Sequence, residues 1–154
     1  MITIAVEDPI AADIVALLEA HLAFAHEVTP PDHVHALDVE ALRGPQITFC
    51  TARDHGVLLG VGALRDLGGG RGEIKSMHTA AAARGRGVGR QLVAHLLDIA
   101  RAQTMRWVGL ETGTYEAFAP ARSLYASMGF EECPPFDEYR DNPYSVCMSL
   151  RLTN

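Results

Sequence analysis

The sequence predicts an α/β (α+β) fold, in which a mixed, mostly antiparallel twisted sheet contains one parallel β-α-β crossover and is flanked by helices. Three observations carry this. Two β-rich runs, 47–52 and 57–65, are joined by Asp54-His55-Gly56, and Gly68-Gly69-Gly70 returns the chain into a third run, 73–79, so hairpins come first. An amphipathic helix then separates that third run from a β-rich stretch at 107–112. Two strands joined by a helical crossover lie parallel. A last helix and two more strand-like runs complete the chain.

In chain order, Thr3-Ile4-Ala5-Val6 is a short first strand. Asp8 is expected to cap a helix with Pro9 at its first position, where a missing N–H costs nothing. Ile10, Ile14, Leu17 and Leu18 form its apolar stripe. A second helix is expected around Val39-Glu40-Ala41-Leu42, after Pro30-Pro31. After the hairpins, Val88, Leu92 and Leu96 line one edge of the crossover helix, with Val93, Leu97 and Ala100 beside them. The final helix starts near Phe118, carries Pro120 in its first turn and stops at Gly129, a favourable C-terminal glycine. Runs 130–133 and 144–152 are the closing strands. No repeat or linker interrupts the 154 residues, which read as a single domain, 1–154.

Composition narrows the function. Hydrophobic residues are 48% and charged residues 21%, ordinary for a globular chain able to bury about 70% of its unfolded surface. The formal net charge of -6 argues against general nucleic-acid binding. Apolar runs are too short for the ~20 residues that span a bilayer, and the N-terminus lacks a signal-peptide pattern. Cys50, Cys133 and Cys147 are odd in number and widely spaced, so they are expected as small core residues in a reducing cytoplasm. Among seven histidines only His33-x-His35 is closely spaced, and no third ligand stands near it, so no metal is expected.

The chemistry concentrates in Arg84-Gly85-Arg86-Gly87-Val88-Gly89-Arg90, at the junction of strand and helix. Glycines at alternate positions expose amides where a helix starts, and such a start attracts anions. Three arginines against an acidic background point to a phosphate or pyrophosphate. The chain contains no Gly-Lys pair, which excludes a P-loop, and the glycine spacing departs from Gly-x-Gly-x-x-Gly. A nucleotide-binding module is therefore disfavoured.

What the segment does fit is Arg84-x-x-Gly87-x-Gly89, preceded by Met77 and Thr79 and followed by Leu124-Tyr125-Ala126-Ser127-Met128-Gly129-Phe130. This combination resembles the acyl-CoA loop and later helix of the GNAT N-acetyltransferase superfamily. Glu73-Ile74-Lys75-Ser76-Met77, Leu110-Glu111-Thr112-Gly113 and Pro134-Pro135-Phe136 with Tyr139, Asn142-Pro143 and Ser145-Val146 resemble a bacterial branch labelled indole-acetic-acid-type acetyltransferases. The resemblance implies that amides from Gly85 to Arg90 hold the CoA pyrophosphate, and that backbone groups of Met77, His78 and Thr79 pair with thioester and pantetheine. It implies that Tyr125 returns a proton to the departing thiolate. Tyr125 also shares a helix face with Phe118, Ala121 and Met128 and could serve as a core aromatic. Phe118 stands where family members usually carry an Asn that helps to hold CoA.

Glu73 occupies the strand position where some members place a general base, and a carboxylate suits removal of an amine proton. The alternative is a strand Glu paired with Lys75 or an arginine. Glu111 is the second candidate. His33 and His35, with His21 and Glu27, are expected to line the acceptor pocket, faced by Tyr139, Asn142 and Ser145. The expected partners are acetyl-CoA and an amine acceptor, with neither nucleic acid nor membrane; a homodimer is compatible with this. The expected activity is acetyl transfer to a primary amine, and the alternative is a non-catalytic acyl-CoA sensor of the same fold.

Overall fold

Local backbone preferences set the hairpins of the computed structural model, which describes residues 1–28 and 39–153. Strand β2 (Ile47–Asp54) turns into β3 (Val57–Gly68) at His55 and Gly56, with φ of 51° and 81°. Left-handed angles at both central residues match the right-handed twist of a tight hairpin. Strand β3 turns into β4 (Arg71–Thr79) through Gly68, Gly69 and Gly70, at φ of 83°, 64° and 78°. With β1 (Ile2–Val6), β5 (Trp107–Gly113), β6 (Glu131–Cys133) and β7 (Ser145–Arg151), they form one seven-stranded sheet in the order β1-β2-β3-β4-β5-β7-β6. All neighbours are antiparallel except β4 and β5, which are parallel.

That parallel pair is short. β4 and β5 match only over Arg71–Trp107, Gly72–Val108 and Glu73–Gly109. Past this point β4 stays paired with β3 as far as Thr79, and β5 stays with β7 as far as Gly113. The two strands therefore part, and a gap opens at their carboxyl ends, where α/β sheets bind ligands. A bulge sharpens the departure. Val61 and Ala63 on β3 face His78 and Lys75, so Ser76 and Met77 oppose the single residue Gly62, and Ser76 takes φ 57°. Bulges bend a strand and increase its twist.

Helices cover both faces. Helix α2 (Val88–Ala102) buries Val88, Leu92, Val93, Leu96, Leu97 and Ala100 against Leu64, Ile74, Val108 and Leu110. Each buried valine or leucine contributes about 1.5–3 kcal/mol by leaving water. Helix α3 (Ala119–Ser127) joins the same core through Tyr125. On the opposite face, helix α1 (Ala12–Val28) packs Ile14 and Leu18 on Phe49, Val61 and Ala63.

Several expectations are corrected. Helix α1 begins at Ala12, and Asp8 does not cap it: the Asp8 carboxylate accepts hydrogen bonds from Arg43 at 3.0 and 3.4 Å. Ile10 consequently lies outside the stripe and is 55% exposed. In place of a second helix there is a single 3-10 turn, Ala41–Arg43. The hairpin strands run longer than expected, to Asp54 and Gly68, and Arg71 rather than Glu73 opens β4. Cys50 and Cys147 are buried as expected, but Cys133 is only partly so.

Candidate functional site

The Arg/Gly segment follows β4 directly, after a 3-10 turn at Ala81–Ala83, and stands at the mouth of the gap. Gly85 and Gly87 adopt φ of 80° and 78°, and a Cβ at either would meet nothing within 4 Å. Both glycines thus face open space, and conformation alone selects them. The first helical bond of α2 runs from Gln91 N–H to the Gly87 carbonyl at 3.1 Å. The amides of Val88, Gly89 and Arg90 therefore have no partner within the helix, the arrangement that binds anions. Two of the arginines brace the loop. Arg86 donates to Asp54 at 2.9 Å, and Arg90 donates to Ser127 on α3 at 2.6 Å. Gly89 is favoured for a different reason: a Cβ there would lie 3.1 Å from Leu124 Cδ2, a tight contact, and 3.9 Å from Thr79 Oγ1. The end of β4, the loop and Leu124 of α3 thus converge on one spot.

Residues of β4 divide between the two faces of the sheet. Ile74 and Met77 pack with the α2 and α3 core, and Gly62 makes room for the Met77 sulfur. Tyr125 belongs to that same core, with its ring 5.9 Å from Phe130. Burial lifts its phenol well above the ordinary tyrosine range, so it stays protonated at neutral pH. Glu73 and Lys75 alternate with Ile74 and face the other side, as does Ala63 opposite Lys75. Glu73 and Tyr125 accordingly project from opposite faces of the sheet.

On the Glu73 face, residues 134–144 between β6 and β7 fold over the strands. Glu73 is 1% exposed and Lys75 8%, and the ammonium lies 3.2 Å from the carboxylate. The Tyr139 phenol accepts a hydrogen bond from Lys75 at 2.8 Å and donates one to Glu73. Burial, and then the Glu73 charge and hydrogen bond, push the Tyr139 phenol far up, and Glu111 adds to that push. Glu73, Lys75, Tyr139 and Glu111 therefore form one cluster beside the point where β4 and β5 separate. Phe136 stands edge-on to both Trp107, at 5.0 Å, and Tyr139, at 5.2 Å.

His78 also lies on the α1 face, opposite Val61, and its Nδ1 is 3.3 Å from Nδ1 of His21. Burial, followed by the His78 charge, lowers His21 to about 4; burial and the Arg84 charge lower His78. Both rings are uncharged near neutral pH. Asn142 and Ser145 bond to each other at 3.0 Å. His33, His35 and the side chain of Glu27 lie outside the described residues. Phe118 is a packing residue whose ring covers Gly113, where a Cβ would come within 2.1 Å of it, and it meets Phe24 of α1 edge-on at 5.3 Å. Among the described residues no group of three or more His, Cys, Asp or Glu is arranged to hold a metal, and no helix is long and apolar enough to cross a membrane.

In the sequence Lys75 is only a possible counter-ion of Glu73, and no local signal joins it to Tyr139. Its position two residues after Glu73 on a strand, hence on the same face, was the available clue.

Comparison with known proteins agrees with this fold. Residues 14–130 match the Acetyltransferase (GNAT) family. The chain is similar to the uncharacterized N-acetyltransferase YsnE of Bacillus subtilis, at 41% identity over 97% of this chain and 99% of the relative. It is 38% identical to an IAA acetyltransferase of Azospirillum brasilense over 98% of each. A solved structure from Klebsiella pneumoniae superposes with a TM-score of 0.83 at 28% identity, covering 99% of both chains. A Bacillus subtilis acetyltransferase in complex with CoA shares the fold, with a TM-score of 0.72 at 17% identity over 99% of this chain and 100% of that one.

Proposed function

This chain belongs to the GNAT acetyltransferase family, and from that premise we propose that it moves acetyl from acetyl-CoA to a primary amine by direct attack within a ternary complex. The observation that carries the proposal is the left-handed Gly85 and Gly87 loop, which presents unpartnered α2 amides at the mouth of the β4–β5 gap. In this reading the loop holds the pyrophosphate, and backbone groups of Met77, His78 and Thr79 pair with pantetheine and thioester. The amine enters from the Glu73 face. A carboxylate takes a proton from the arriving ammonium, the freed nitrogen attacks the thioester carbon, the C–S bond breaks as Tyr125 protonates the sulfur, and the nitrogen sheds its remaining extra proton to solvent. Glu73 is the proposed base and Glu111 the second candidate. Two carboxylates beside one entrance suit a small cationic amine, with His21 and Tyr139 on the pocket walls. No enzyme nucleophile takes part. We place this activity in one domain, 1–154, and in a reducing cytoplasm, in keeping with an odd number of widely spaced cysteines.

Acetyl-CoA is expected to raise the melting temperature, whereas NAD and ATP leave it unchanged. At one hundred times its dissociation constant a ligand adds about 2.7 kcal/mol. A thermal-shift titration measures this, and no shift at millimolar acetyl-CoA would remove the proposal.

Glu73→Gln is expected to slow transfer most at low pH, where the amine is protonated, with partial recovery as pH rises. The same change leaves the Lys75 ammonium buried without its counter-ion, which costs about 3–5 kcal/mol. Rates are therefore compared below the variant's melting point. A loss equal at every pH assigns Glu73 a positioning role instead.

A further inference from the structure

We propose that Cys133 and Cys147 form a reversible cross-strand disulfide whose closure remodels residues 134–144. The two cysteines are direct partners in the antiparallel β6–β7 ladder. Opposite Cα atoms in such a ladder lie about 4.5–5.5 Å apart. A disulfide spans about 4.4–6.8 Å. Direct partners also project to the same side of the sheet. Neither cysteine is bonded to another in this structure.

The pair has an order of reaction. Cys133 is partly exposed and Cys147 is buried, with its thiol raised to about 11 chiefly by burial. Cys133 is therefore the thiol that a small oxidant such as hydrogen peroxide reaches first. Its thiolate attacks one peroxide oxygen, the O–O bond breaks, and the departing oxygen leaves as water, giving a sulfenic acid. Cys147 then loses its proton, its sulfur attacks the sulfenic sulfur, and a second water leaves. Two thiols are oxidised to one disulfide while one peroxide is reduced to two waters.

Closure reaches the site because of what Cys147 touches. The Phe136 backbone N–H faces the Cys147 sulfur and favours its thiolate against the larger effect of burial. Turning that sulfur toward Cys133 moves it away from the amide, and the new bond ties together the two strands that the segment connects. Phe136 packs on Trp107 and Tyr139, and Tyr139 bonds to Lys75 and Glu73. Trp107 is the only tryptophan of the chain, so its emission reports on this segment. Bond formation does not depend on the acetyl-transfer reading, and either can fail alone.

The test oxidises the full chain with hydrogen peroxide, alkylates the remaining thiols after unfolding, maps the peptides by mass and records Trp107 emission. The expected result is loss of two alkylatable thiols, a peptide linking Cys133 to Cys147, a changed emission spectrum, and full reversal by dithiothreitol. Cys133→Ser should show neither the linked peptide nor the spectral change. Because the peptide map is made on the unsubstituted protein, it decides the matter even if that variant does not fold. Three alkylatable thiols, a link to Cys50 or between chains, sulfinic acid at Cys133 beside an alkylatable Cys147, or a disulfide with unchanged emission each overturns the proposal.

Discussion

Gly87→Val is expected to abolish acetyl-CoA binding and leave a folded protein. Gly87 caps α2 in the left-handed conformation, at φ 78°, and no atom lies within 4 Å of a Cβ placed there. The substitution therefore meets no protein wall. Its cost is conformational, about 1–3 kcal/mol for a residue held in that region. The loop relieves this strain by rotating the peptide units that aim amides at the ligand, and valine fills the space a phosphate would use. Calorimetric titration should show affinity reduced at least about a hundredfold, equivalent to about 2.7 kcal/mol, while circular dichroism remains that of the parent protein. Unchanged affinity in a folded variant would make the segment a plain strand-to-helix turn. Gly89→Ala is a contrasting control, because its methyl group would press on Leu124.

Tyr125→Phe is expected to lower turnover by about 10²–10⁴-fold, the usual contribution of general acid catalysis, with little change in acetyl-CoA affinity. The ring keeps its place in the core and its contact with Phe130. The lost hydroxyl is a phenol that burial keeps protonated, which is the state a thiolate leaving group needs. Steady-state rates and a binding titration on the same sample separate the two effects. Near-full turnover would reduce Tyr125 to packing, with water as the acid.

The legible parts of this fold are those with local causes. Asp54-His55-Gly56 and Gly68-Gly69-Gly70 turn because their backbone angles favour glycine, and the α2 stripe follows from its period. The parallel pairing of β4 and β5 followed from the helix between them. Errors arose where a distant residue outcompeted a local motif. Asp8-Pro9 has the form of a helix start, but Asp8 is taken by Arg43, 35 residues away. At the site, the Gly loop was legible because its chemistry lies in the backbone of consecutive residues. The Glu73–Lys75–Tyr139 cluster was not, since Tyr139 lies 66 residues from Glu73. The facing of Cys133 and Cys147 depends on the β6–β7 register, which no spacing rule supplies. The parting of β4 from β5 is sharpened by a bulge at Ser76, a non-glycine residue with positive φ that no turn motif announces.

The claim that matters most is transfer itself, and its most direct measurement is product formation. Acetyl-CoA is incubated with the protein and a panel of small primary amines, free CoA thiol is counted, and acetylated amines are identified by mass. The account predicts that at least one amine gains an acetyl group in equal amount to the thiol released, with a rate that falls in Tyr125→Phe. Acetyl-CoA that binds and raises the melting temperature, yet yields no acetylated product with any amine, would contradict it and leave an acyl-CoA sensor in its place.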